Sequence, residues 1–167
     1  MEIPLISRSF FQALVLSLPL IAADPVYDPL MLYNGEWLVT SKPAAVGATP
    51  VRLLNDCKQL GQFFACHQTA DGTPGSLLIF LPREYAGKYF TQTIRTNGAA
   101  MGRGDLTIAG NLWTFSSKDT VDGKTKYYRT TNQFSGKNKI HYEMSESVDD
   151  KSWTVIGSGD EERVVVP

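Results

Sequence analysis

From Tyr33 onward, apolar and polar residues alternate in short runs with a period of two, and glycine, asparagine and proline punctuate them. Lys139–Ser147 shows it most cleanly. Ile140, Tyr142 and Met144 fall on one face and His141, Glu143 and Ser145 on the other, the pattern of a strand with one side buried. Ten segments of this kind follow one another: Glu36–Lys42, Pro50–Cys57, Gln62–Thr69, Ser76–Leu81, Lys88–Thr96, Asp105–Ile108, Leu112–Lys118, Lys124–Phe134, Lys139–Ser147 and Ser152–Val166. Gly157-Ser158-Gly159 can interrupt the last with a bulge. Asn97-Gly98, Ala109-Gly110-Asn111 and Asp122-Gly123 between the segments are hairpin chemistry, because glycine and asparagine accept the positive φ of tight primed turns. Connections this short join antiparallel neighbours. The pattern therefore predicts an all-β fold, an antiparallel up-and-down barrel of about ten strands, with Asp28–Tyr33 as a short helical turn capping one end.

Two segments are less clean. In Lys88–Thr96, Tyr89, Thr91, Thr93 and Arg95 share a face; in Lys124–Phe134, Tyr127 and Arg129 oppose Tyr128, Thr130 and Asn132. Either face carries polar atoms. An interior lined this way holds water or a ligand with polar atoms, because buried polar groups need partners; the alternative is a stretch of sheet solvated on both sides.

The first residues follow a different rule. Arg8 precedes an apolar run, Phe10 to Ala23, that ends in Ala22-Ala23 before Asp24-Pro25. A basic start, a short apolar core and a small-residue cut site are the order of a secretory signal, and the core is short of the roughly 20 residues of a membrane span. Residues 1–23 are thus expected to be a cleavable signal and residues 24–167 a single barrel domain, periplasmic or secreted, with no transmembrane segment in the mature chain.

Export changes the meaning of the two cysteines. Cys57 and Cys66 flank Gly61-Gln62, and a hairpin folded there sets the thiols opposite each other. A disulfide is expected outside the reducing cytoplasm, stabilising by about 2–3 kcal/mol because the loop it closes is short.

Charge adds little. Sixteen basic and 17 acidic residues are well mixed, giving a formal net charge of −1 and no footprint for nucleic acid. No Gly-x-Ser-x-Gly elbow, phosphate loop, dinucleotide fingerprint or HExxH occurs, so no cofactor or metal is expected. The histidines are His67 and His141; His141 and Glu143, two apart on one strand face, could carry an enzymatic or metal role with His67 as third group. Asp160-Glu161-Glu162 is expected to be a solvated edge, and Trp37, Trp113 and Trp153 are expected in the core.

Asn34-Gly35-Glu36-Trp37 opens the first strand, Arg163 lies in the last, and Ser147 to Trp153 forms a Ser…Asp…Trp hairpin before it. Together these resemble the bacterial calycin-like (lipocalin-like) barrels. The resemblance implies that Trp37 plugs one barrel end with Arg163 over its indole, a cation–π contact of about 0.5–2 kcal/mol. The resemblance to the ten-stranded fatty-acid-binding and nitrobindin-like barrels is one of architecture; in the latter a C-terminal histidine holds haem, and His141 is the residue in that region.

Three functions follow from this reading. The leading one is an exported barrel binding a small amphipathic ligand, a fatty acid or another partly apolar anion, with Tyr89, Arg95, Tyr127, Arg129 and Tyr142 lining the interior and Arg95 or Arg129 meeting the anionic end. The alternatives are a cell-envelope structural or interaction protein with a filled barrel, and an enzyme using His141 and Glu143.

Overall fold

The computed structural model of the protein describes residues 24–42 and 49–165; the expected signal, residues 1–23, lies outside the described residues. A 3₁₀ helix, Pro25–Tyr33, is followed by strands β1 (Gly35–Lys42), β2 (Val51–Leu60), β3 (Phe63–Ala70), β4 (Thr73–Pro82), β5 (Lys88–Ile94), β6 (Gly104–Ala109), β7 (Leu112–Val121), β8 (Lys124–Ser135), β9 (Lys139–Ser147) and β10 (Thr154–Arg163). Each strand pairs antiparallel with the next, and β10 returns to β1 to close the barrel. Among the described residues, closure leaves no edge strand to pair with another chain. All ten expected segments are present, and the helical turn is longer than expected because Pro25 starts it and the Asp24 carboxylate caps it by accepting from the Val26 N–H. The break expected near Gly157 is a register shift between Val155 and Gly157 within a continuous β10.

The 3₁₀ helix closes one end. Tyr27, Leu30 and Tyr33 are buried by it, and beneath them Trp37, Phe64, Phe80, Tyr89, Trp113 and Phe134 fill the interior. The rings pack tilted or offset, as their quadrupoles favour: Trp113 and Phe134 have centroids 4.8 Å apart, Tyr33 and Trp113 5.9 Å. The Tyr89 hydroxyl donates to the Val26 carbonyl at 2.6 Å, tying β5 to the helix.

The expected clamp at that end is present. Trp37 is fully buried, directly opposite Arg163 in the β1–β10 register, and the guanidinium carbon lies 4.1 Å from the indole centroid. Arg163 also donates to the carbonyls of Asn34, Leu32 and Lys137 at 2.5, 2.6 and 2.9 Å. Gly35 is the residue that lets it do so. Its φ is +119°, and a Cβ there would stand 2.6 Å from Arg163 Nη1.

Cys57 and Cys66 are Cα partners across the β2–β3 hairpin and form a disulfide, buried on the inner face. The turn falls at Gly61-Gln62 as the spacing indicates.

Two expectations fail in instructive ways. Trp37 and Trp113 are core, but Trp153 lies on the outer wall, half-buried against Arg129 with the guanidinium carbon 4.2 Å from its ring. Within the acidic run, Asp160 and Glu162 are the solvated residues expected, pairing with Lys42 and Lys139, whereas Glu161 is buried. Strand alternation makes the difference, since Glu161 sits opposite Val39 and Ile140 on the inner face.

Candidate functional site

The barrel is filled unequally. Away from the helix, the inner residues change from aromatic to hydroxylic. Thr91 and Thr93 on β5, Ser117 on β7 and Thr130 on β8 project inward with Phe115 and Tyr128 and leave a chamber of about 120 Å³. Gly104 permits it, because a Cβ there would stand 2.8 Å from Thr91 Oγ1 and 2.7 Å from the Ser116 carbonyl. On the opposite wall, Tyr142 lies flat over Gly159, where a Cβ would meet its ring at 2.6 Å, and its hydroxyl is 3.1 Å from Ser41 Oγ.

Between the aromatic floor and this open half lie the buried polar side chains. Asn132 Nδ2 donates to the Tyr33 hydroxyl at 3.5 Å and Gln68 Nε2 donates to Asn55 Oδ1 at 3.0 Å. Asn55 Nδ2 and Glu161 Oε2 have no hydrogen-bond partner among the described residues. Burial raises the Glu161 carboxyl to about 7. The Tyr33 hydroxyl is pushed above its ordinary range by burial first and the nearby Glu161 second.

A larger groove, about 520 Å³, opens on the outer wall and shares Ser116, Ser117 and Tyr128 with the chamber. Arg103, Lys118, Arg129, Tyr127 and Trp153 line it together with the carboxylates Asp105 and Asp150. Trp153 is carried there by the β9–β10 connection, which Asp149 organises. Its carboxylate accepts from the backbone N–H groups of Ser152 and Lys151 at 2.7 and 2.9 Å and from the Ser147 hydroxyl at 2.9 Å. Those bonds, the Ser152 N–H foremost, hold the Asp149 carboxyl down to about 2.

The five expected ligand residues separate. Tyr89 and Tyr142 face the interior, but Tyr89 is buried in the floor and bound to the helix. Tyr127 and Arg129 face outward into the groove, because the inner set on β8 is Tyr128, Thr130 and Asn132. Arg95 lies just past the end of β5 in an exposed turn, its N–H bonded to the Ala99 carbonyl. The expectation that Arg95 and Arg129 point inward is thereby corrected. Alternation with the inward Tyr128 and Thr130 turns Arg129 to the outer face, and β5 ends before Arg95 could enter the interior.

His141 and Glu143 share the outer face of β9 as read, but the imidazole Nδ1 is 2.7 Å from Asp160 Oδ1, and Glu143 is approached by the Ser145 hydroxyl at 3.5 Å. His67 stands on β3, and no group of three metal-ligating side chains forms among the described residues. Being on the outer wall, His141 does not reach the interior where a barrel-bound haem would sit.

Sequence reasoning missed Arg103, Lys118 and Trp153 as groove residues and Glu161 as a buried acid. For Glu161 the signal was present: Trp37, Val39, Glu161 and Arg163 share one face once β1 and β10 are paired. For Arg103 there was none, since it lies outside any strand.

No protein-family model matches the sequence, and no curated protein does. Among solved structures the chain is similar to the crystal structure of Rv2717c from M. tuberculosis, with a TM-score of 0.51 and 14% identity over 85% of this chain and 99% of that one. The similarity is one of fold.

Proposed function

We propose that the protein is an exported binding barrel for a small ligand, which enters at the end away from the 3₁₀ helix. The carrying observation is the unequal interior: an aromatic floor at one end and a chamber walled by Thr91, Thr93, Ser117 and Thr130 at the other. Hydroxyl-lined space holds displaceable water, which a ligand with polar atoms can replace without stranding a donor or acceptor. The chamber, about 120 Å³, is bounded by Phe115 and Tyr128 as well as by its hydroxyls, and so suits a small ligand with both polar and apolar parts. The buried disulfide, and the fact that among the described residues no helix is long and apolar enough to cross a membrane, are compatible with an extracytoplasmic protein whose residues 1–23 are removed on export. The Gly35, Trp37 and Arg163 clamp supports a calycin-like reading of the barrel.

Native mass spectrometry tests it. Gently purified protein should carry a small adduct, and Thr130→Trp, which fills the chamber, should remove it while leaving the far-ultraviolet dichroism unchanged. A clean mass in both proteins would favour the filled-barrel reading, a structural or interaction role, for which the fully packed floor already speaks.

A further inference from the structure

The geometry points to an oxyanion-binding site on the outer wall beside the mouth, in which Arg103, Lys118 and Arg129 receive the phosphate of a small phosphomonoester and Trp153 and the tyrosines flank its body. It rests on the ligand-binding reading only in that groove and chamber adjoin at Ser116, Ser117 and Tyr128.

Strand register assembles the site. Asp105, Ser116, Arg129 and Ser145 are successive cross-strand partners on β6 to β9, so their side chains stand in one outward row. Lys118 and Tyr127 form the next pair toward the mouth. Arg103, just before β6, joins them.

The charge of the groove is unspent. Several other cations of the barrel wall are matched: Lys42 with Asp160, Arg52 with Glu36, Arg83 with Asp105, Lys126 with Glu146 and Lys139 with Glu162. Arg103, Lys118 and Arg129 form no such ion pair among the described residues. Of the two acids that line the groove, Asp105 is held by Arg83 at 2.6 Å, so three cations face one volume against Asp150 and a carboxylate already paired.

Stacking prepares two of them. The guanidinium carbon of Arg129 lies 4.2 Å from the Trp153 ring centroid and that of Arg103 lies 3.9 Å from that of Phe90. A guanidinium held over a ring can still give paired N–H hydrogen bonds to an oxyanion, and a side chain already held loses less freedom on binding. Two guanidinium forks and an ammonium exceed what one carboxylate can use. A phosphate dianion with three terminal oxygens matches them, and the groove volume exceeds bare phosphate, leaving room for a ring beside Tyr127, Tyr128 and Trp153.

Phenyl phosphate, inorganic phosphate and benzoate, titrated into the intact protein at low salt by calorimetry and tryptophan emission, test the site. Phenyl phosphate should bind tightest, inorganic phosphate more weakly and benzoate weakest. Arg129→Ala and Arg103→Ala should each weaken phenyl phosphate by about tenfold, the value of one charge-assisted contact. Arg129→Lys, which keeps the charge and much of the packing, should lose part of that affinity. Thr130→Trp should leave inorganic phosphate binding intact, so a failed chamber and a failed groove give different results. Absence of phosphate and phenyl phosphate binding, equal affinity for benzoate, or affinities untouched in both arginine variants would overturn the proposal.

Discussion

Glu161→Gln isolates the energetic cost of a carboxyl that the fold places inside the barrel. In the unfolded chain this group titrates near 4.5, and in the folded protein burial raises it to about 7. Between those values the folded protein keeps a proton that the unfolded chain has released, so stability declines as pH rises through the window, and the full penalty is present above the folded value. At about 1.4 kcal/mol per pH unit, the gap corresponds to ~3 kcal/mol. Glutamine has nearly the same shape and cannot ionise, which removes that dependence. Urea unfolding between pH 4 and pH 9, followed by the emission of the buried Trp37 and Trp113 with the disulfide intact, reads it directly. Wild type and variant should be close at pH 4 and diverge in favour of the variant by up to ~3 kcal/mol above the folded value. All other titrations are common to both proteins and cancel in the difference. Parallel curves, or a variant that loses ground as pH rises, would refute the assignment of Glu161 as a buried acid without a partner.

Trp37→Ala removes a fully buried indole and the surface on which Arg163 lies; it should cost ~3–5 kcal/mol, and a nearly unchanged thermal midpoint would show that the clamp does not hold the barrel end. Asp149 has the opposite sign to Glu161: its folded value of about 2 lies below the usual 3.8, so its contribution is complete above 3.8 and is lost as pH falls through about 2. In Asp149→Asn that acid-side loss should disappear and Trp153 emission should shift red already at neutral pH; an unchanged emission spectrum would mean that the turn does not hold the indole in place.

The fold was legible because strand periodicity and turn chemistry are local signals. Nine junctions join consecutive strands, so knowing the segments nearly fixed the neighbours, and Gly61-Gln62 fixed the disulfide register. Facing was harder. On β9 the alternation of Ile140, Tyr142 and Met144 with His141 and Glu143 decided the inner set, but on β8 both faces mix tyrosine with threonine, and Arg129 was assigned to the wrong side. Arg95 failed for another reason. It keeps the parity of Tyr89, Thr91 and Thr93 in sequence, yet β5 ends at Ile94, and parity means nothing beyond a strand's last pairing. Glu161 was obscured by its acidic neighbours, because composition averages over the two faces that a strand separates. The groove depends on Trp153 folding back along the outer wall, a placement governed by the Asp149 turn.

The β1–β10 seam stands apart from every other pairing in the barrel. Nine ladders arise between adjacent strands and can form as hairpins while the chain lengthens; this one joins Trp37 to Arg163 across nearly the whole domain. The cation that fastens the floor arrives with the final strand, so the cylinder stays an open, curling sheet with two unpaired rims until β10 is present. A chain halted before Arg163 would lack the clamp as well as part of a strand, and would expose the rims through which sheets adhere to one another.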